Sequence, residues 1–169
     1  MKKILSFLLI TLFAATSLFA QDSKKKERAS PHETITGNHM KITYGRPYMK
    51  GRVIFGNLVE LGKVWRTGAD EATEITFDQD CSINGRPLKA GTYTLFTIPG
   101  KIEWILILNS KLGQWGAYSY DENKKFNVID AAVGTKDLTE PVEQFTIKIE
   151  NDGVRMEWEK KSVFFGVQF

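Results

Sequence analysis

The stretch "TYTLFTIPGKIEWILILN", Thr92 to Asn109, decides the fold. Its two halves, Thr92–Pro99 and Glu103–Asn109, carry apolar side chains at successive positions, so both faces of each strand must be covered. Pro99 and the short run Gly100, Lys101 and Ile102 interrupt them, which predicts a hairpin. On either side the pattern changes to strict alternation. Met40, Ile42 and Tyr44 alternate with Lys41 and Thr43, and Ile75 and Phe77 with Glu74, Thr76 and Asp78. Phe145, Ile147 and Ile149 repeat the pattern, as do Val154, Met156 and Trp158. Residues two apart share a sheet face, so these are strands with one buried side.

Asn84-Gly85 and Asp152-Gly153 are dipeptides that suit tight hairpin turns, and Gly91 punctuates the chain again before the central hairpin. The nearest approach to a helical stripe is "FGNLVELG", Phe55 to Gly62, where Leu58 and Leu61 predict one short helical turn near 55–62. Many short strands with Gly, Pro and Asn-Gly between them indicate a single all-β domain over 31–169. The expected architecture is an antiparallel β-sandwich, jelly-roll-like or a partly closed barrel.

Residues 1–20 have the layout of a secretory signal: Lys2 and Lys3, an apolar block from Ile4, and Ala20 at the expected cleavage point. The block is shorter than the roughly 20 residues of a membrane span. The chain is therefore expected to be periplasmic or secreted, with a polar linker over 21–30 and no membrane span after cleavage. Removing 1–20 leaves 149 of the 169 residues and 21 Lys and Arg against 20 Asp and Glu. So even a balance argues against nucleic acid, which demands a clustered cationic excess. The basic run "KKKER", Lys24 to Arg28, reads as part of the solvated linker. Cys81 is the only cysteine, so no internal disulfide can form, and its neighbours Asp80 and Ser82 bring no positive charge to activate a thiol.

The long connection Tyr44 to Thr73, "YGRPYMKGRVIFGNLVELGKVWRTGADEAT", concentrates the polar chemistry. Gly45 and the Arg46-Pro47 bond should end a strand, and about thirty residues then pass before the next one. Ordered connections of that length are usually functional. The candidates on it are Arg46, Arg52, Trp65, Arg66, Asp70 and Glu71. Arginine can hold a carboxylate or phosphate through its planar fork, a carboxylate can orient that fork or accept ligand hydroxyls, and an indole can stack. Two readings stand: Arg66 with Asp70 or Glu71 lines a pocket beside Trp65, or Arg66 pairs with a carboxylate as a clamp while Trp65 is core. A second group, "QWGAYSYDE", Gln114 to Glu122, presents Trp115, Tyr118 and Tyr120 as an aromatic edge suited to a sugar or a peptide segment. His32 and His39 lack further ligands at metal-binding spacing, and neither a phosphate loop nor a nucleophile elbow is present, so no metal and no cofactor is expected.

Taken in order, "YGRPYMKGRVIFGNLVELGKVWRTGADEATEITF", "INGRPLKAGTYTLFTIPGKIEWILILN" and "QWGAYSYD" resemble the bacterial family known as domain of unknown function 2911, met mainly in exported proteins of the Bacteroidetes. The resemblance implies export and a single domain and supplies no activity. It draws attention to the motif positions Arg46, Pro47, Lys50, Gly51, Arg52, Trp65, Arg66, Gly68, Ala69, Glu71, Gly91, Tyr93, Trp115 and Tyr118. The family often resembles Asn at the position of Asp70, which leaves Glu71 as the acid or base if there is chemistry. Three functions follow as expectations: non-catalytic binding of a small polar or glycan-like ligand, a hydrolase or isomerase using Glu71 with Arg66, and an envelope protein-interaction module acting through Trp115 and Tyr118.

Overall fold

The computed structural model describes residues 27–169, so the expected signal and most of the basic run lie outside the described residues. The strands run in chain order as β1 (His32–Gly37), β2 (Met40–Gly45), β3 (Thr73–Phe77), β4 (Cys81–Ile83), β5 (Arg86–Leu88), β6 (Gly91–Ile98), β7 (Glu103–Asn109), β8 (Asn127–Glu150) and β9 (Gly153–Gln168). They form one nine-stranded sheet, ordered β1-β2-β3-β6-β7-β8-β9-β4-β5, and every named strand pair is antiparallel.

The sheet folds over on itself because β8 serves two neighbours. Its first part pairs with β7 as far as Gly134, and its later part pairs with β9, with register shifts between Asp137 and Val142 and again before Thr146. Such irregularities bend a strand and raise its twist. The two parts of the sheet thereby close on one core, which includes Ile42 and Tyr44 from β2, Ile75 and Phe77 from β3, Leu106 from β7, and Ile147 and Trp158 from the folded-over half. The alternation read from the sequence is the inner face of these strands.

The central hairpin is apolar on both faces for the reason its sequence suggests. Leu95 and Leu106 face the main core, while Phe96 and Ile107 form a second buried cluster with Ala72, against which Val64, Ala117 and Tyr120 pack. The outer face of the hairpin is thus covered by the long 45–72 connection and by the aromatic segment after Gln114.

Two local expectations are corrected. The chain at 55–62 is not helical: Gly56 and Gly62 have φ of 94° and 74°, and Ile54 accepts the Val59 N–H in a closed turn. The short helix lies instead at α1 (Tyr120–Asn123), continued by a 3-10 turn over Lys124–Phe126. The β8–β9 turn is Asn151-Asp152, one residue earlier than the Asp-Gly pair suggests, since Glu150 pairs with Gly153. Gly153 is required by close approach, because a Cβ there would strike the Phe165 carbonyl oxygen. Asn84-Gly85 is the positive-φ hairpin turn expected, with φ of 47° and 79°.

Candidate functional site

The loop carrying Trp65 to Ala72 is held flat against the sheet by backbone. Trp65 exchanges both backbone hydrogen bonds with Thr97 at 2.7 and 3.0 Å, and the Ala72 N–H donates to the Gln114 carbonyl at 2.8 Å. Gly68 and Gly45 lie face to face: a Cβ on Gly45 would collide with the Ala69 carbonyl, and one on Gly68 would come to 3.0 Å from the Gly45 carbonyl oxygen. Glycine at both positions is what lets the loop seat on the end of β2. The turn that carries Gly68 is tied by three fully buried threonines, with Thr73 Oγ1 donating to the Thr67 carbonyl at 2.6 Å and Thr67 Oγ1 3.0 Å from Thr97 Oγ1. Thr67 has φ of 53°. A β-branched residue is rare in that region, so this turn beside Arg66 is strained.

Trp65 itself is core. Its indole donates to the Gly68 carbonyl at 3.1 Å and stacks on Trp158 at 5.9 Å between ring centroids, with Phe55, Trp104 and Phe145 meeting it edge-on. Such offset and edge contacts add to the area these rings bury.

Arg66, the next residue, turns the other way. Its side chain lines a cleft of about 170 Å³ together with Arg52, Pro47, Leu58, Val59, Gly68, Ala69 and the edges of Trp65 and Trp158. Arg66 Nε is shut off from solvent and has no hydrogen-bond partner among the described residues. Arg52 is anchored in part, with Nε donating to the Met49 carbonyl at 2.9 Å and Nη2 to the Tyr48 carbonyl at 2.6 Å.

Asp70 and Glu71 face elsewhere. Asp70, with φ of 63°, accepts the backbone N–H groups of Ala29 and Ser30 at 3.2 and 3.0 Å. Glu71 receives the Arg28 guanidinium, Nε on both carboxylate oxygens at 3.0 and 2.9 Å and Nη2 at 2.8 Å. His32 Nε2 lies 3.0 Å from Glu71 Oε2 without hydrogen-bond alignment, an ion pair whenever the imidazole is protonated. The Arg28 hydrogen bonds hold the Glu71 carboxyl below the usual carboxylate range, and the charge of Arg28 adds to the effect. Arg28, His32 and Glu71 line a second cavity of about 170 Å³ with Thr43, Tyr44, Glu74 and Gln114, which Asp70 does not reach. Burial pushes the Tyr44 phenol up to about 12, so it stays neutral while accepting the Ile147 N–H at 3.0 Å.

The remaining sequence candidates are spread out. Arg46 is a strut: Nη1 pairs with Glu33 at 2.8 Å, Nε donates to the Phe145 carbonyl at 3.1 Å and Nη2 to Thr146 Oγ1 at 2.9 Å. Trp115 is half-buried and bridges Glu71 through the backbone, whereas Tyr118 is 81% exposed. Structure therefore brings Arg52, Trp65 and Arg66 to one cleft and places Glu71 at another. Sequence reasoning missed Arg28 and His32, and it missed Leu58 as a cleft wall. Arg28 belongs to the run read as solvated linker and is instead docked on Glu71. Its only sequence signal was charge opposite to that of Asp70 and Glu71, some forty residues away.

Residues 26–167 match the family model described as protein of unknown function (DUF2911). The chain belongs to this family. The DUF2911 match begins beside Arg28, so the docked segment falls within it. Neither the curated proteins nor the solved structures gave a match. Among the described residues no helix is long and apolar enough to cross a membrane, and no group of three or more His, Cys, Asp or Glu is placed to hold a metal ion.

Proposed function

We propose that this DUF2911 protein is a non-catalytic binding domain of an exported protein, periplasmic or secreted, and that it takes a small polar ligand in the cleft of Arg52 and Arg66. One observation carries the reading: the Arg66 side chain lines the cleft, and its guanidinium meets no acceptor among the described residues. A guanidinium with no partner of its own leaves its fork for the oxygens of a ligand. The strained Thr67 beside it fits a loop held for a task rather than for packing.

An acid or base role for Glu71 finds less support, because Glu71 and Arg66 open on different cavities and Arg28 keeps Glu71 ionised. Thermal-shift screening of the purified protein against sugars, organic acids and cell-wall fragments tests the proposal. A ligand at a hundred times its dissociation constant stabilises by about 2.7 kcal/mol, a readable rise in Tm that should disappear in Arg66→Met. No stabilisation by any class at millimolar concentration would refute it.

A further inference from the structure

The charged side chains around the Arg66 cleft are all of one kind. Arg52 and Arg66 are donors only, and no lining side chain other than these is charged. The two indole N–H groups at its wall are already used, that of Trp65 on the Gly68 carbonyl and that of Trp158 on the Glu143 carbonyl at 3.3 Å. No carboxylate, amide or hydroxyl side chain lines the cleft to accept a hydrogen bond. A neutral sugar, whose hydroxyls must donate as well as accept, is poorly served there. An anion is well served.

The walls say what the rest of the occupant is. Leu58, Val59 and Pro47 are apolar, and Gly68 and Ala69 bring backbone without bulky side chains. Leu58 is 47% exposed, so the apolar wall reaches the protein surface. The tryptophans present little free face, Trp65 being 7% and Trp158 2% exposed, which removes the stacking platform a sugar ring would use. A volume near 170 Å³ lies below the roughly 300–1,000 Å³ of sites for larger ligands, so the enclosed part of the occupant is small. Arg52 has two of its nitrogens committed to backbone carbonyls, leaving Arg66 as the main fork. One planar fork matches one carboxylate.

From this we infer that the cleft is a carboxylate site: it takes a small monocarboxylate with an apolar body, its carboxylate on Arg66 with Arg52 as second cation, and its carbon skeleton against Leu58, Val59 and Pro47. The inference rests on the binding reading above and narrows it from polar or glycan-like ligands to apolar acids. The same chemistry is offered by a free acid and by the C-terminus of a peptide ending in an aliphatic residue.

Isothermal titration of the purified protein tests it with benzoate and butyrate, with N-acetyl-leucine as the terminus mimic, and with benzamide, glucose and inorganic phosphate as controls. The expected result is saturable binding of a carboxylate at least tenfold tighter than benzamide, about tenfold weaker in Arg66→Lys and lost in Arg66→Met. Arg66→Lys keeps the charge and removes the fork, so it also serves if the methionine variant fails to fold. N-acetyl-leucine binding more tightly than butyrate or benzoate identifies a chain terminus, and the reverse order identifies a free acid; both support the carboxylate site. Benzamide equal to benzoate overturns it, as does phosphate binding through Arg66 while the carboxylates do not bind. Glucose or another neutral sugar binding in an Arg66-dependent way, with the acids silent, overturns the carboxylate site and leaves the binding function standing. If no carboxylate, sugar or phosphate binds at millimolar concentration, both fail.

Discussion

Arg66 and Glu71 sit five residues apart on one loop, and the fold treats them in opposite ways. Glu71 is met by a guanidinium at 2.8–3.0 Å and has an imidazole at its side, whereas Arg66 is set against apolar walls with its Nε unmatched. A charge whose partner comes from the same chain is spent on holding that chain together. A guanidinium left without a partner at the wall of a cleft is available to a ligand. Adjacent motif residues therefore belong to two devices: a clamp that docks residues 28–30 onto the loop, and a cleft that faces outward.

The most damaging test removes the support common to both. Trp158→Ala takes away the ring stacked on Trp65 and part of the cleft wall, and should cost about 3–5 kcal/mol in urea unfolding. Gly45→Ala forces a methyl onto the Ala69 carbonyl and should cost about 1–3 kcal/mol, lowering Tm while displacing the whole 66–71 turn. These two changes should strike both devices together.

The contrast itself is tested by paired variants. Arg66→Met should leave stability unchanged or raise it by up to about 1 kcal/mol, since it removes an unmatched buried donor, while abolishing ligand-induced stabilisation. Glu71→Gln should instead lower Tm slightly and leave cleft binding intact, as expected of a partly exposed pair. A loss above about 2 kcal/mol in Arg66→Met would place Arg66 with the clamp and end the contrast.

The clamp should also respond to acid. Because Arg28 holds the Glu71 carboxyl below its ordinary range, the stabilisation is fully present above the unfolded-state value and is lost as pH falls through the depressed folded value. Hydrogen exchange at the Ala29 and Ser30 amides, followed from neutral to acidic pH, should report the release. Glu71→Gln should remove the part due to Glu71, and Asp70→Asn, which keeps an accepting oxygen for those amides, should have the smallest effect of all.

Sequence was informative wherever a short-range rule governed the outcome. The alternation at Met40–Tyr44 and Val154–Trp158, the doubly apolar hairpin and the Asn84-Gly85 turn all depend on neighbours in the chain, and all are as read. "FGNLVELG" misled because the apolar spacing of Leu58 and Leu61 looks the same in a turn as in a helix, and the glycines at its two ends decided the matter through positive φ. The short helix at Tyr120 has no buried residue and so wrote no apolar stripe into the sequence.

From the residues alone came the antiparallel all-β domain, the concentration of polar chemistry between Tyr44 and Thr73, and the family. Tertiary structure decided how that chemistry is divided. Whether a guanidinium is a strut, as at Arg46, a clamp, as at Arg28, or a donor left facing a cleft, as at Arg66, depends on which oxygen lies within about 3 Å of it. For Arg28 that oxygen is on a residue forty-three positions away, and Arg46 joins Glu33 of the neighbouring strand to Phe145 and Thr146 about a hundred positions on, so only the folded sheet, bent back through β8, brings the partners together or keeps them apart.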